Sequence, residues 1–253
     1  MYTRPKTHSE IVAMRTSGKM LATVLQHLKN DAEVGMSTKH LSDIAASELQ
    51  KLGGKPVFLG QPGAYPFPDI ICISLNNEVV HGIPSKDRIL QDGDLISLDF
   101  GVSYDGMITD GAISIVVGTT NREKDRLVQT TEQAMLAGVG VLQDGVRTGT
   151  IGAAIEAVLN KQRYGIVRDM VGHGVGHQLH EDPNIPNYGR AHTGPQLMAG
   201  MTIAIEPMAT LGKEHIYLGE DEWTILTRDG SLAAHFEHTV LITETSAEIL
   251  TTV

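Results

Sequence analysis

One pattern, a glycine followed by an apolar strand and then a carboxylate, occurs twice in the chain. Gly93-Asp94-Leu95-Ile96-Ser97-Leu98-Asp99 can be laid over Gly200-Met201-Thr202-Ile203-Ala204-Ile205-Glu206. Further along, Asp110-Gly111-Ala112-Ile113-Ser114-Ile115 corresponds to Glu237-His238-Thr239-Val240-Leu241-Ile242. Helical pieces correspond too: Met20-Leu21-Ala22 with Met135-Leu136-Ala137, and Leu41-x-x-Ile44-Ala45 with Ile151-x-x-Ala154-Ile155. The expected architecture is therefore α+β in two related halves, about 1–118 and 119–253. Each half is a helix pair with strands, and each delivers two carboxylates.

Local signals fill in the elements. Thr7-x-x-Glu10 reads as a capping box opening a first helix, with Leu21, Val24, Leu25 and Leu28 at helical spacing. A second helix starts near Ser37 or Thr38 and stops at Gly53-Gly54. Strand-like Ile70 to Leu75 and Glu78 to Val80 follow a proline-rich loop. Gly93 to Val117 reads as a β-hairpin turning at Asp105-Gly106. Two more helices are expected from about Glu123 and around Ile151 to Gln162. No linker or low-complexity segment interrupts the 253 residues, so a single domain is expected, and the 41% hydrophobic fraction suffices for a core.

Composition excludes several functions. The formal net charge of −10 argues against wrapping a nucleic-acid backbone. No run of 18 apolar residues suggests a membrane span, and the N-terminus shows no signal-peptide core. The single cysteine, Cys72, allows no internal disulfide, which suits the cytoplasm.

The acids occupy unusual places. With a two-residue turn at Asp105-Gly106, Asp110 faces Gly101, and Asp99 lies two residues further along. Side chains alternate along a strand, so both aspartates share one face as diagonal neighbours. Two carboxylates buried there would repel and stay partly protonated unless cations intervened. Glu206 closes the apolar strand MTIAIE, and Glu237 is embedded in HFEHTVLI. Any one acid reads equally well as a solvated edge residue; four in matched strand contexts make that reading much weaker.

The stretch GHGVGHQLH adds three imidazoles, His173, His177 and His180. Its alternating glycines rule against a helix, each weakening one by about 1 kcal/mol, and favour a backbone that another group approaches closely. Four carboxylates with one imidazole form an oxygen-rich set suited to Mn(II), Fe(II), Co(II) or Zn(II). With a bridging carboxylate, such a set can hold two ions about 3.5–4 Å apart.

These residues resemble the type I methionine aminopeptidases of the short bacterial form, which have the pita-bread metallopeptidase fold. The carrying motifs are CISLNNEVVHGIP, GDLISLDFG, ITDGAISI, MVGHGVGHQLHEDPNIPNY, IAIEPM and WTILTRDGSLAAHFEHTVLIT. The resemblance implies that Asp99, Asp110, His173, Glu206 and Glu237 are the ligands of two divalent metal ions, with Asp110 and Glu237 bridging. It implies metal-assisted hydrolysis of the bond after an N-terminal methionine, preferably before a small second residue. Glu206 would act as general base and proton shuttle, His81 would contact the scissile amide, and His180 would face the substrate from the other side. His177 receives no catalytic role.

For the methionine pocket, the resemblance suggests Tyr65, Cys72 and Trp223, with Leu179 and Phe58 nearby. Leu179 stands where relatives often carry an aromatic residue, and the loop from Phe58 to Ile71 is longer than usual. Implied partners are N-terminal Met peptides, nascent chains and, transiently, the ribosome; a cytoplasmic monomer is implied, with no specific nucleic acid and no membrane. Two other readings remain open: a proline-specific aminopeptidase or dipeptidase of the same fold, and a non-catalytic ribosome- or RNA-binding relative.

Overall fold

A computed structural model describes all 253 residues. Four helices are present: α1 (His8–Asp31), α2 (Thr38–Leu52), α3 (Arg122–Val139) and α4 (Thr148–Gln162). The strands, in chain order, are β1 (Lys55–Pro56), β2 (Cys72–Leu75), β3 (Glu78–Val80), β4 (Leu95–Tyr104), β5 (Met107–Val116), β6 (Gly165–Ile166), β7 (Gly172–Gly174), β8 (Glu181–Ile185), β9 (Thr202–Ile205), β10 (Met208–Thr210), β11 (Ile216–Leu218), β12 (Ile225–Thr227), β13 (Ala233–His235), β14 (Glu237–Ile242) and β15 (Ala247–Ile249).

The helix boundaries follow the local chemistry. Thr7 and Glu10 form the expected capping box: the Thr7 side chain accepts from the Glu10 N–H, and the Glu10 carboxylate accepts from the Thr7 N–H. This satisfies N-terminal donors that the helix leaves open. Helix α2 ends on Gly53, whose φ of 82° is left-handed and costs glycine little.

The main sheet has nine strands along the path β1-β4-β5-β14-β9-β7-β8, with β2 on β4 and β15 on β14. All its pairs are antiparallel. Two helix pairs cover it through separate cores. Leu21, Leu25, Leu41, Ile96, Leu98 and Phe100 pack under α1 and α2. Leu127, Met135, Ile151, Ile155, Ile203 and Ile205 pack under α3 and α4. Full burial of each such side chain contributes about 1.5–3 kcal/mol. Strands β5 and β14 pair directly and join the two regions.

The hairpin has the expected register. Tyr104 pairs with Met107 across the turn, Gly101 with Asp110 and Asp99 with Ala112. Alternation sends Ile96, Leu98 and Phe100 into the α1–α2 core. Ser97, Asp99 and Gly101 are left on the other face of the sheet.

Candidate metal centre

Strand register brings the acids together on the face away from the helices. Cys72 pairs with Asp99 across β2–β4, and Glu237 pairs with Ala112 across β14–β5, beside Asp110. His238 pairs with Ile205, so Glu237 and Glu206 lie at adjoining strand ends. Thr239 locks the seam: its hydroxyl accepts from the Asp110 N–H and donates to the Asp110 carbonyl, both at 2.8 Å. His173 arrives on β7, framed by glycines because there is no room for a side chain on either side. A Cβ at Gly172 would lie 2.3 Å from the Ala204 carbonyl oxygen, and one at Gly174 would lie 2.8 Å from the Thr3 Cβ.

One cavity of about 300 Å³ is lined by Asp99, Asp110, His173, Glu206 and Glu237 together. Ligand atoms of Asp110, His173 and Glu237 lie within 4.8 Å of one another. All these acids except Glu206 are buried. The Asp99 Oδ1 and Glu237 Oε1 atoms are buried with no hydrogen-bond partner, a costly state for a carboxylate. Burial, together with repulsion from neighbouring acids, pushes the Asp99 and Glu237 carboxyls well above the carboxylate range. Burial pushes Asp110 up to about 7, against the pull of His173.

The imidazole is equally telling. His173 Nδ1 lies 2.9 Å from the Gly174 carbonyl oxygen, which can only accept, so Nδ1 carries a proton. In the neutral ring Nε2 then aims a lone pair at Glu206 Oε1, 3.2 Å away. Two acceptors at that distance need a proton or a cation between them. Burial works against charge on His173, but the hydrogen bond to Glu206 and the charges of Glu206 and Asp110 prevail and raise its pKa. The 3.2 Å span also suits two ligands of one ion, each about 2.0–2.2 Å from it. Pinning a ligating imidazole through its other nitrogen is a common device of metal sites. The residues present therefore fit divalent cations.

His81 and His180 flank the acids in the same cavity. His81 has a φ of 61°, a conformation that is unfavourable for a residue with a Cβ and recurs at functional sites. Burial lowers both histidines to about 4, with the charges of His173 and His81 adding to the effect on His180. Both are neutral near pH 7. The His180 ring meets the His173 ring edge-on at 4.5 Å, and the His81 ring stands 6.1 Å from Trp223.

Phe58, Phe67, Cys72, Leu179 and Trp223 form the apolar wall. Tyr65, expected in that wall, does not line the cavity. Its hydroxyl donates to the Asp221 carbonyl at 2.8 Å, and its own carbonyl accepts from the Trp223 indole N–H at 3.1 Å. The physical reason lies in the loop. Phe67 turns inward and packs against Trp223 at 5.1 Å, while Tyr65 stays on the rim and holds Trp223 by its backbone. Phe67 and Met170 are pocket residues that sequence reasoning missed. So is His235, although period two would have placed it on the same face as Glu237.

His177 turns away from the acids. Its Nε2 is 2.8 Å from Glu10 and 3.0 Å from Arg4, and its N–H donates to Glu181 at 2.7 Å. It ties the loop before His180 to the start of α1.

A model of metallopeptidase family M24 matches residues 12–244. The chain belongs to metallopeptidase family M24. Methionine aminopeptidase 1 of Bacillus subtilis is 42% identical to this metallopeptidase over 248 residues, covering 98% of each chain. The crystal structure of methionine aminopeptidase from Thermotoga maritima superposes with a TM-score of 0.96 at 40% identity. It covers 99% of this chain and 100% of that one. The fold is thus the α+β pita-bread fold expected from the sequence. Prolidase from Pyrococcus furiosus gives a TM-score of 0.77 at 23% identity, with this chain spanning 65% of its length. That likeness is one of fold alone.

Proposed function

We propose that the protein is a metal-dependent methionine aminopeptidase, releasing N-terminal methionine from peptides and nascent proteins, preferably before a small second residue. The observation that carries this reading is the acid cluster lining the cavity: buried acids with unpartnered oxygens, and the His173 Nε2 atom 3.2 Å from a Glu206 oxygen. Asp99, Asp110, His173, Glu206 and Glu237 would hold two divalent ions drawn from Mn(II), Fe(II), Co(II) or Zn(II). When bound, the ions would supply Lewis-acid polarisation and bring the pKa of water down toward about 7.

The chain's own residues do the rest. Glu206 takes the proton of the attacking water and passes it to the departing nitrogen as the C–O bond forms and the C–N bond breaks. His180, neutral at working pH, donates its N–H to the carbonyl oxygen as negative charge develops there. His81, also neutral, hydrogen-bonds the scissile amide from the opposite side. Phe58, Phe67, Cys72, Leu179 and Trp223 surround an unbranched thioether with apolar and polarizable surface, the kind of contact methionine favours.

No helix of the chain is long and apolar enough to cross a membrane; the reading puts the enzyme in the cytoplasm, where nascent chains emerge. The test is hydrolysis of Met-Ala-Ser against Ala-Pro peptides by purified protein, with and without added metal. Release of methionine that depends on metal is expected. Cleavage confined to Ala-Pro peptides would favour a proline-specific enzyme instead.

A further inference from the structure

His235 has the properties of a working residue without an assigned task. Its side chain is 2% exposed, yet neither ring nitrogen has a hydrogen-bond partner. It lines the same cavity as the acids. Its backbone is fixed from two directions: its N–H donates to the Ser114 hydroxyl at 2.8 Å, and that hydroxyl lies 2.9 Å from its carbonyl oxygen. The pairing of His235 with Met208 across β10–β13 then sets the ring beside Glu206, two residues before Met208. The gap from His235 Nε2 to Glu206 Oε2 is 3.9 Å. Glu206 thus sits between two imidazoles, with Oε1 toward His173 and Oε2 toward His235.

We propose that His235 is a positioning residue for Glu206, its Nε2–H donating to Oε2 in the working enzyme and steering the carboxylate that carries the proton. This rests on the assignment of Glu206 as proton carrier. A shift of roughly 0.9 Å closes the gap to an ordinary hydrogen bond of about 3.0 Å. The other oxygen stays with His173, so the two imidazoles fix the plane of the carboxylate. The role also accounts for the unpartnered ring, since functional sites retain polar groups that folding alone would replace with apolar ones.

The test compares His235→Leu and His235→Gln with the wild type. Three quantities are read: kcat and KM for Met-Ala-Ser, bound metal by elemental analysis, and the melting temperature of metal-free protein. His235→Leu should lose roughly 10- to 100-fold in kcat, the worth of a hydrogen bond to a charged group, with KM little changed and the metal content intact. His235→Gln, which keeps an N–H donor, should recover most of the loss. Metal-free His235→Leu should melt at or above the wild-type temperature, because it removes an unpaired buried group. Wild-type kcat in His235→Leu, a lower melting temperature, or loss of bound metal would each overturn the proposal, the last two by making His235 a structural residue or a ligand. If the wild type itself released no methionine, the functional reading would fail first, and the metal-free melting data would still judge whether the ring serves the fold.

Discussion

Replacing Lys6 with methionine tests how the N-terminal arm supports the site. Lys6 and Glu181 form a pair whose side chains are both 0% exposed, with Nζ 3.3 Å from Oε2. Lys6 also donates to the Thr3 hydroxyl at 2.9 Å and to the Arg4 carbonyl at 3.3 Å. Glu181 Oε1 accepts the N–H groups of His177 and Gln178, at 2.7 and 3.1 Å. Burial opposes charge on Glu181, but those N–H groups and Lys6 prevail and hold its carboxyl below the usual range.

Methionine keeps most of the length of lysine, stopping where the ammonium nitrogen begins, and removes its charge, leaving Glu181 buried beside an apolar neighbour. Breaking a buried pair from one side costs about 3–5 kcal/mol. At ~2.1 cal/mol/K of unfolding entropy per residue, 253 residues give about 0.53 kcal/mol/K, so the melting temperature should fall by about 6–9 °C. Removing both charges, in Lys6→Met with Glu181→Gln, should recover much of that loss, because the amide oxygen can still accept both N–H groups. The loop held by Glu181 carries Leu179 and His180, so turnover of Met-Ala-Ser should fall with stability in the single variant. Differential scanning calorimetry on the four-member cycle measures the coupling. A Lys6→Met protein within about 1 kcal/mol of wild type, or a double variant as unstable as the two singles combined, would refute the reasoning.

Other expectations concern the site itself. His180→Ala should lose most turnover while elemental analysis finds its metal unchanged; loss of metal would mean His180 is a ligand. A Cβ at Gly63 would lie 2.4 Å from the Trp223 ring, so Gly63→Ala should displace the indole and raise KM for methionyl peptides more than it lowers kcat. Unaltered kinetics would remove Trp223 from the pocket. In metal-free protein, the Asp110 carboxyl at about 7 lies above its unfolded value, as do Asp99 and Glu237. A raised acid contributes stability below its unfolded pKa of about 4 and loses it as pH rises through the folded value. His81, His180 and His235, lowered by burial, work in the opposite direction only below about 6.5. Metal-free protein should therefore melt at a lower temperature at about pH 8 than at about pH 7, with the difference shrinking on addition of Mn(II); an unchanged or rising melting temperature would contradict this.

What was legible in the sequence was mostly local or set by parity. The Asp105-Gly106 turn fixed the register that puts Asp99 and Asp110 on one face, because period two leaves no other choice once the loop length is known. Thr7, Glu10 and Gly53 marked helix ends through hydrogen bonds spanning a few residues. The least legible features depend on partners distant in the chain. His177 meets Glu10 and Arg4 from 167 and 173 residues away, and Lys6 meets Glu181 across 175. Neither contact leaves a periodic trace. An irregular proline-rich loop has no alternation to say which of its aromatics, Tyr65 or Phe67, turns inward, and it is Phe67 that does.

Anomalous diffraction from crystals soaked in Mn(II) or Co(II), recorded at the metal edge, decides whether these five residues hold metal. Two peaks about 3.5–4 Å apart, enclosed by Asp99, Asp110, His173, Glu206 and Glu237, are expected. Peaks elsewhere on the molecule, or none at this cavity under saturating metal, would contradict the assignment.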